Sequence, residues 1–312
     1  MFQVLGLVLP LFSLILLGYI SGRWKKIPVE GLAWLNYFIV YVSLPALFFQ
    51  LLSKTPLQQF AQGQFLLYTT GAALLIFVLC FALAKLRRHD TATATIQALG
   101  GTYGNIGYLG PPLALAAFGA EVGVPVALIF CVENALYFTL APLLMALQSR
   151  GETQWASTLW HILRSIFTHP FIVATLVSIT AAWAQWQPPS ALEKLLASLA
   201  ASAAPAALFA MGVTAALRPL KRVPFEAFYL LPIKLLLHPL LVYALLSPIP
   251  ELPQSWLLSA VLMASLPTAT NVFVLAQQYN CWEQRASSIV VLSTLVSTVS
   301  VTAILIWAVA QL

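Results

Sequence analysis

Charged residues are scarce in this chain. Asp, Glu, Lys and Arg make up 8% of its 312 residues, whereas hydrophobic residues make up 61%. A soluble domain usually carries about 25% charged residues. No polar segment is long enough to fold as a soluble domain, and apolar stretches of about 20 residues recur from end to end. The composition therefore excludes a soluble globular protein and indicates a polytopic membrane protein.

Motifs for enzyme chemistry are missing as well. Asp90 lies in a loop and no aspartate lies in an apolar stretch, which excludes an intramembrane aspartyl protease. The sequences G-x-S-x-G and H-E-x-x-H do not occur, nor does a P-loop, which argues against serine hydrolases, metalloproteases and ATPases. Cys80, Cys131 and Cys281 lack metal-ligand spacing and are expected to be packing thiols. We expect neither enzyme activity nor a cofactor.

The apolar residues predict ten transmembrane spans, numbered here from one to ten. The first is expected to be a retained helix, since it lacks the basic segment and cleavage site of a signal peptide. The ten spans cover residues 2–21, 31–52, 65–86, 93–118, 122–147, 167–186, 192–216, 224–246, 255–279 and 285–311.

Basic residues concentrate in every second loop between these spans. Most of the 15 Lys and Arg residues lie in the odd-numbered loops, and only Lys54 and Lys194 lie in the even-numbered ones. Because positively charged loops stay in the cytoplasm, both termini are predicted to face outward, N-out and C-out. The net charge of +6 comes from these loops and does not indicate a nucleic-acid partner.

The two halves of the chain show weak internal similarity. "SLPALFF" (43–49) resembles "APAALFA" (204–210), Pro10 has a counterpart in Pro170, and Glu121 in Glu283. An odd number of helices in each half makes the halves inverted. We therefore predict two inverted five-helix repeats, at residues 1–148 and 167–312, joined by a cytoplasmic loop at residues 149–166.

Two spans carry residues that interrupt a helix. Span four contains "GNIGYLGPP" and span nine "SLPTATNVFVLAQQYN". Proline removes a backbone donor and glycine leaves helical geometry cheaply, so unwound backbone is expected only around a polar cavity. The alternative is a proline kink with a glycine packing face. The predicted helix-break residues are Gly107, Gly110, Pro111, Pro112 and Pro267.

The chain resembles the auxin efflux carrier family in its short bacterial form. The motifs that carry the resemblance are "LNYFIVYVSLPALFF" (35–49), "GNIGYLGPPLALAAFG" (104–119) and "SLPTATNVFVLAQQY" (265–279). The resemblance implies a fold like that of the bile acid:sodium symporters, with spans four and nine crossing at their breaks. It also implies a scaffold of spans one, two, six and seven, a transport domain of spans three to five and eight to ten, an elevator movement and a homodimer.

Candidate substrate contacts cluster around the two breaks. The family transports carboxylate anions such as indole-3-acetate or malonate-type acids, and the resemblance assigns substrate contact to Asn105 and Asn271. For Asn36 and Asn134 a helix-packing hydrogen bond is an equally good interpretation. The full candidate set is Asn36, Gly104, Asn105, Tyr108, Asn134, Thr268, Thr270 and Asn271.

Three ionisable residues fall inside predicted spans, where buried charge is usually functional. Glu133 lies near the middle of span five, and Lys234 and His238 lie one turn apart in span eight. In one interpretation Glu133 takes a coupling proton and Lys234 or His238 attracts a carboxylate. In the other, Glu133 and Lys234 form a structural ion pair, or Lys234 binds carbonyls freed near Pro232, and His238 serves packing.

Together these features predict an inner-membrane, multi-pass secondary transporter of small organic anions, surrounded by lipid and coupled to protons. The alternatives are a sodium-coupled symporter and a membrane receptor that does not transport. A channel would need a ring of filter groups, usually from several subunits, and the predicted inverted repeat argues against it.

Overall fold

The computed structural model describes residues 2–24, 29–60, 62–148, 155–217 and 223–311. Each predicted span falls on one helix or on a short run of helices. The helices are α1 (Phe2–Trp24), α2 (Val29–Phe38), α3 (Leu44–Leu52), α4 (Gly63–Leu86), α5 (Thr91–Thr102), α6 (Gly110–Phe118), α7 (Gly123–Gln148), α8 (Trp155–Phe167), α9 (Pro170–Trp183), α10 (Ser190–Leu217), α11 (Ala227–Pro232), α12 (His238–Leu246), α13 (Gln254–Ser265), α14 (Thr270–Gln278) and α15 (Glu283–Val309).

Several helical segments are long and apolar enough to cross a bilayer. Within the described residues there are six, or seven if the bent pair α8 and α9 forms one span. The α5–α6 and α13–α14 segments fall short because each is cut into two helices of at most 12 residues. The prediction of an all-α membrane protein is confirmed. The count of ten spans, the inverted repeat and the N-out/C-out orientation stay predictions.

The segment predicted as a connecting loop at 149–166 is partly helical. Residues 149–154 lie outside the described residues, and α8 occupies 155–167. It meets α9 at an angle of 60°, around Pro170. The residue before a proline is driven out of helical geometry, and His169 accordingly has an extended backbone with ψ 126°. Hydropathy alone missed α8, because polar residues interrupt its apolar ones.

Two π-helical turns also interrupt the α-helices. One spans Ile39–Ser43, between α2 and α3, and the other spans Ile233–Leu237, between α11 and α12. Each is followed within two residues by a proline, Pro45 or Pro239, which removes a backbone donor from the helix. A π-helical turn changes the direction in which nearby side chains point from the helix. Val40 and Lys234 lie in these two turns.

The helices pack in two groups. In the first, α1 lies along α10, and α3 packs against both α9 and α10. In the second, α4 packs against α5 and α12, and α13 packs against α7, α12 and α15. Contacts between α3 and α7 join the groups. The predicted scaffold and transport domains divide the chain along the same line, and that division stays a prediction.

Ion pairs hold loops together at the two ends of the bundle. Lys54 Nζ lies 2.7 Å from Glu193 Oε1, which joins the predicted loops two and six. Arg285 Nη1 lies 2.6 Å from Glu226 Oε1, and His89 Nε2 lies 3.9 Å from the same oxygen. His89 lies in predicted loop three, and Glu226 and Arg285 lie at the starts of spans eight and ten, beside predicted loops seven and nine. These contacts thus join two regions at even-numbered loops and three at odd-numbered ones.

The outer surface of the bundle is apolar. Leu67, Leu240 and Val299 each expose more than half of their surface. Exposed apolar surface on this scale is costly in water but not in hydrocarbon. The surface therefore suits a lipid environment, whereas polar groups gather inside at the helix breaks.

Candidate functional site

Two interrupted helices form the centre of the molecule. Helix α5 ends at Thr102, the backbone of Tyr103 is extended, and α6 begins at Gly110 with prolines in its first turn. Helix α13 ends at Ser265, Leu266 is extended with ψ 149°, and α14 begins at Thr270. Both breaks fall where glycine and proline predict them.

The two unwound segments pair with each other. The Asn105 N–H donates to the Pro267 carbonyl at 2.7 Å, and the Ala269 N–H donates to the Tyr103 carbonyl at 2.8 Å. These bonds form an isolated antiparallel bridge centred on Gly104 and Thr268. Backbone groups that the breaks free from one helix are therefore satisfied by the other. This pairing rules out the alternative of simple proline kinks in continuous helices.

Side chains satisfy carbonyls at the open ends of α5 and α13. The Thr268 hydroxyl donates to the Gly100 carbonyl at 2.7 Å, and the Lys234 ammonium donates to the Ala264 carbonyl at 2.6 Å. The Thr268 N–H donates in turn to Ser293 Oγ at 3.0 Å. A buried carbonyl without a hydrogen-bond partner would destabilise the fold. These contacts therefore stabilise the interrupted conformation of both helices.

A small cavity of about 110 Å³ lies at the crossing. It is lined by residues of both breaks, of α7 and α9, and of the π-helical turn between α2 and α3. The lining residues are Val40, Tyr103, Gly104, Asn105, Ile106, Gly107, Tyr108, Phe130, Asn134, His169, Phe171, Ala269, Thr270 and Asn271. The predicted substrate residues Gly104, Asn105, Tyr108, Asn134, Thr270 and Asn271 are thus brought together around one cavity.

A chain of hydrogen bonds runs along one side of this cavity. The Asn271 amide donates to the Tyr103 hydroxyl at 2.9 Å, and that hydroxyl donates to Asn134 Oδ1. The Asn134 amide donates to the Phe130 carbonyl at 2.7 Å. These bonds fix the orientation of the Asn134 amide, since its oxygen accepts from Tyr103 and its nitrogen donates to Phe130. The hydrogen bond of Asn134 to Phe130 lies within α7, whereas the bond from Tyr103 joins α7 to the first helix break.

Asn105 is less constrained than its counterpart Asn271. Its Oδ1 accepts a hydrogen bond from the Tyr108 N–H at 3.3 Å, and its Nδ2 lies 3.6 Å from the Met211 sulfur. A thioether is a weak acceptor, so the amide N–H groups can be drawn to a stronger one. A Cβ on the neighbouring Gly104 would lie 3.1 Å from Lys234 Nζ, so a larger residue there would require the lysine ammonium group to shift.

Some predicted residues lie away from the cavity. Asn36 lies in α2, about one turn before Val40, and does not line it. Thr268 holds the crossing through its backbone and hydroxyl. Of the predicted break residues, Gly107 lines the cavity and the Pro267 carbonyl pairs with Asn105, whereas Gly110, Pro111 and Pro112 are buried in the first turn of α6.

Glu133, Lys234 and His238 are all buried. The Tyr137 hydroxyl donates to Glu133 Oε2 at 3.4 Å, and Lys234 Nζ lies 3.3 Å from His238 Nδ1, as their spacing predicts. Glu133 and Lys234 are not among the ion pairs within 4.0 Å in the described part of the chain. The two side chains are near enough to interact electrostatically, but they do not make the direct contact of an ion pair. Lys234 binds a carbonyl freed in α13 and not one near Pro232.

The cysteines lie apart from the site. Cys131 Sγ contacts Thr175 Oγ1 at 3.3 Å, and Cys80 is buried. Burial raises the pKa of the Cys281 thiol, which lies in the turn after α14, to about 11. No group of three metal-ligating residues occurs among the residues that the structure describes.

Sequence reasoning missed two polar residues of the cavity. Tyr103 forms hydrogen bonds with both Asn271 and Asn134, and His169 lines the same cavity. Tyr103 stands directly before Gly104, so its place in the break motif was a usable signal. His169 precedes Pro170 at the start of a span. No local sequence pattern shows that it lines the same cavity as Asn105 and Asn271, which are 64 and 102 positions away.

Comparison with known proteins identifies the family of the chain. The chain is 50% identical over 306 residues to the "Putative malonate transporter" of Rhizobium meliloti, covering 98% of this chain and 96% of that one. It is 26% identical to an "Uncharacterized transporter" of Methanothermobacter thermautotrophicus, covering 94% of each chain, and 25% identical to "Uncharacterized transporter YfdV" of Escherichia coli K12, covering 93% of each. A family described as "Membrane transport protein" matches residues 3–305. The chain therefore belongs to this family of multi-pass membrane transport proteins, the auxin efflux carrier family that its two interrupted helices had indicated.

Proposed function

We propose that this protein is a secondary active transporter of small carboxylate anions, bound at the crossing between Asn105 and Asn271. The observation that carries the proposal is the cavity at the paired helix breaks, where amide groups from both interrupted helices converge. The name of the Rhizobium meliloti relative, a malonate transporter, supports a short carboxylate as the substrate.

The chemistry of the cavity suits an anion. Helix α14 begins at Thr270, which lines the cavity, so the partial positive charge of the helix N-terminus lies at its wall. Asn105 offers amide N–H groups whose present contact is only a sulfur atom. Carboxylate oxygens accept hydrogen bonds from such donors more strongly than a thioether does.

The cavity also limits the size of the substrate. Its volume is about 110 Å³. Drug-sized ligands occupy cavities of about 300 Å³ or more. A short aliphatic acid fits this volume far better than an indole acid does.

The proposed mechanism is an elevator movement. The cavity wall combines residues of the crossing with Val40, His169 and Phe171 from the predicted scaffold. A sliding of the crossing past this wall would carry the substrate from one membrane face to the other while the scaffold stays still. Lipid surrounds both parts, and the predicted homodimer would fix the scaffold in the bilayer.

The coupling ion is proposed to be a proton, carried by Glu133. This carboxyl group is buried and hydrogen-bonded to Tyr137, and it has no cation within ion-pair distance among the described residues. Sodium, the alternative, would need several oxygen ligands. Carbonyls at the open helix ends are instead bound by Lys234 and Thr268.

Flux in proteoliposomes tests the proposal. Purified protein is reconstituted, loaded with unlabelled malonate, and assayed for exchange with radiolabelled malonate outside. Asn105→Ala and Asn271→Ala are each expected to lose about tenfold or more of the exchange, because a hydrogen bond to a charged group is worth about 1.5–3 kcal/mol. Gln284→Ala, which removes an exposed amide on α15, is the control and should exchange at the wild-type rate.

Binding measured on the same samples separates the remaining alternative. A receptor would bind malonate in detergent yet exchange none in liposomes. Exchange at the wild-type rate in both asparagine variants would show that the crossing is not the substrate site.

A further inference from the structure

His169 is the polar residue of the cavity that the proposed function leaves unexplained. It links α8 to α9, and its backbone is held at both ends. Its N–H donates to the Ile166 carbonyl at 3.2 Å, and its carbonyl accepts from the Val173 N–H at 3.0 Å. The position of the side chain is therefore fixed by the bend between the two helices.

The imidazole of His169 lies among phenyl rings. The ring centroids of Phe138 and Phe171 lie 5.4 Å from that of the imidazole, and the centroid of Phe130 lies 5.8 Å away. Its Nδ1 atom is buried and has no hydrogen-bond partner. A buried polar atom without a partner costs free energy, and such atoms are uncommon in folded proteins. Because Nδ1 is buried, the other ring nitrogen, Nε2, is the one that a ligand in the cavity can reach.

The cavity at the crossing borders the imidazole ring. His169, Val40 and Phe171 line it from the helices of the predicted scaffold, and among these three His169 alone carries a polar side chain. Asn105 and Asn271 line it from the crossing. An anion held by the two asparagines through one end would present its other end to the phenyl-lined wall, where the imidazole is the hydrogen-bonding group.

We propose that His169 binds the second carboxylate of a short dicarboxylate and so selects dicarboxylates over monocarboxylates of the same length. This inference rests on the proposed function, since it places the first carboxylate at Asn105 and Asn271. A neutral imidazole can donate one hydrogen bond and a protonated one can donate two. Either form gives the distal carboxylate a hydrogen-bond donor beside the rings of Phe130, Phe138 and Phe171.

Dissociation constants of malonate and propionate, measured on purified protein by intrinsic fluorescence or calorimetry, test the selection. His169→Phe keeps the aromatic volume and removes the donor. It is expected to weaken malonate binding about tenfold or more and to leave propionate binding within about twofold of the wild type. Its melting temperature should equal or exceed that of the wild type, because the substitution removes an unsatisfied buried nitrogen. His161→Phe, at an exposed position of α8, is the matched control and should change neither constant.

Each outcome decides the question. Unchanged malonate affinity in a folded His169→Phe protein would overturn the inference, and so would an equal loss of affinity for both acids. A wild-type protein that binds no dicarboxylate would overturn it as well. If wild-type protein binds malonate but exchanges none in liposomes, the transporter function is refuted. The ratio of the dissociation constants of malonate and propionate would still test the role of His169 in binding.

Discussion

At the scale of single residues, the crossing replaces lost backbone hydrogen bonds by particular side chains. Lys234 and Thr268 each donate to a carbonyl at the end of an interrupted helix. Both residues were candidates for contact with the ion or the substrate, and the structure gives each a role in holding the break. Polar residues beside a cavity thus divide into those that hold the backbone and those that remain able to bind a ligand.

Lys234→Met tests the supporting role. The substitution keeps most of the side-chain volume but leaves the Ala264 carbonyl without its donor, at a cost of about 1–3 kcal/mol. The melting temperature of the purified protein should fall. Lys194→Met, on the exposed surface of α10, should leave it unchanged. An unaltered melting temperature in Lys234→Met would mean that the carbonyl does not depend on this ammonium group.

The proposed role of Glu133 as proton carrier depends on its ability to gain and lose charge. Glutamine has the shape of a protonated glutamate and cannot release the proton. If Glu133 carries the coupling proton, wild-type exchange changes between about pH 5.5 and about pH 8, whereas exchange by Glu133→Gln stays level. Glu121→Gln, at an exposed position of the turn before α7, should keep the wild-type profile. A wild-type profile in Glu133→Gln would refute the assignment.

At the scale of helices, the sequence predicts the breaks but not their contacts. Glycine and proline act on their own turn of helix, so the ends of α5 and α13 could be read from local composition. The pairing of Tyr103 with Ala269 joins residues 166 positions apart and depends on how the halves dock. Helix α8 escaped prediction for another reason, because an amphipathic helix does not stand out in a hydropathy profile.

The close contact between helices α1 and α10 depends on two glycines. A Cβ on Gly212 would overlap the Ile15 carbonyl oxygen, and one on Gly18 would overlap the Phe209 carbonyl oxygen. Small residues let helix backbones approach this closely in membranes, where packing drives association. The pair therefore forms a rigid element of the predicted scaffold.

Gly212→Ala and Gly71→Ala are expected to have opposite effects. The first forces α1 and α10 apart, and overpacking of this kind costs about 1–3 kcal/mol. The second adds a methyl group inside α4, where nothing lies within 4 Å of the new Cβ. Because alanine has a higher helix propensity than glycine, the free energy of unfolding should rise by about 0.5–1 kcal/mol. Melting temperatures of the two variants should fall on either side of the wild type. A stable Gly212→Ala protein would show that this contact can relax.

At the scale of the whole molecule, the proposed movement requires the two helix groups to slide past each other. The link between them runs in part through α3 and the start of α7. There the Cβ of Leu51 lies 3.1 Å from the position of a Cβ on Gly123. Disulfides join Cβ atoms about 3.5–4.5 Å apart, so a shift of a few tenths of an ångström would allow a bond.

A disulfide between Leu51→Cys and Gly123→Cys should lock the elevator. Malonate exchange by the oxidised double variant is expected to stop and to return on reduction, while malonate binding in detergent persists, because the bond joins the two groups without entering the cavity. The single variants and the wild-type protein, treated with the same oxidant, control for the native cysteines and should keep exchanging. If the oxidised double variant exchanges malonate at its reduced rate, the substrate crosses the membrane without relative movement at this contact, and the elevator mechanism is wrong.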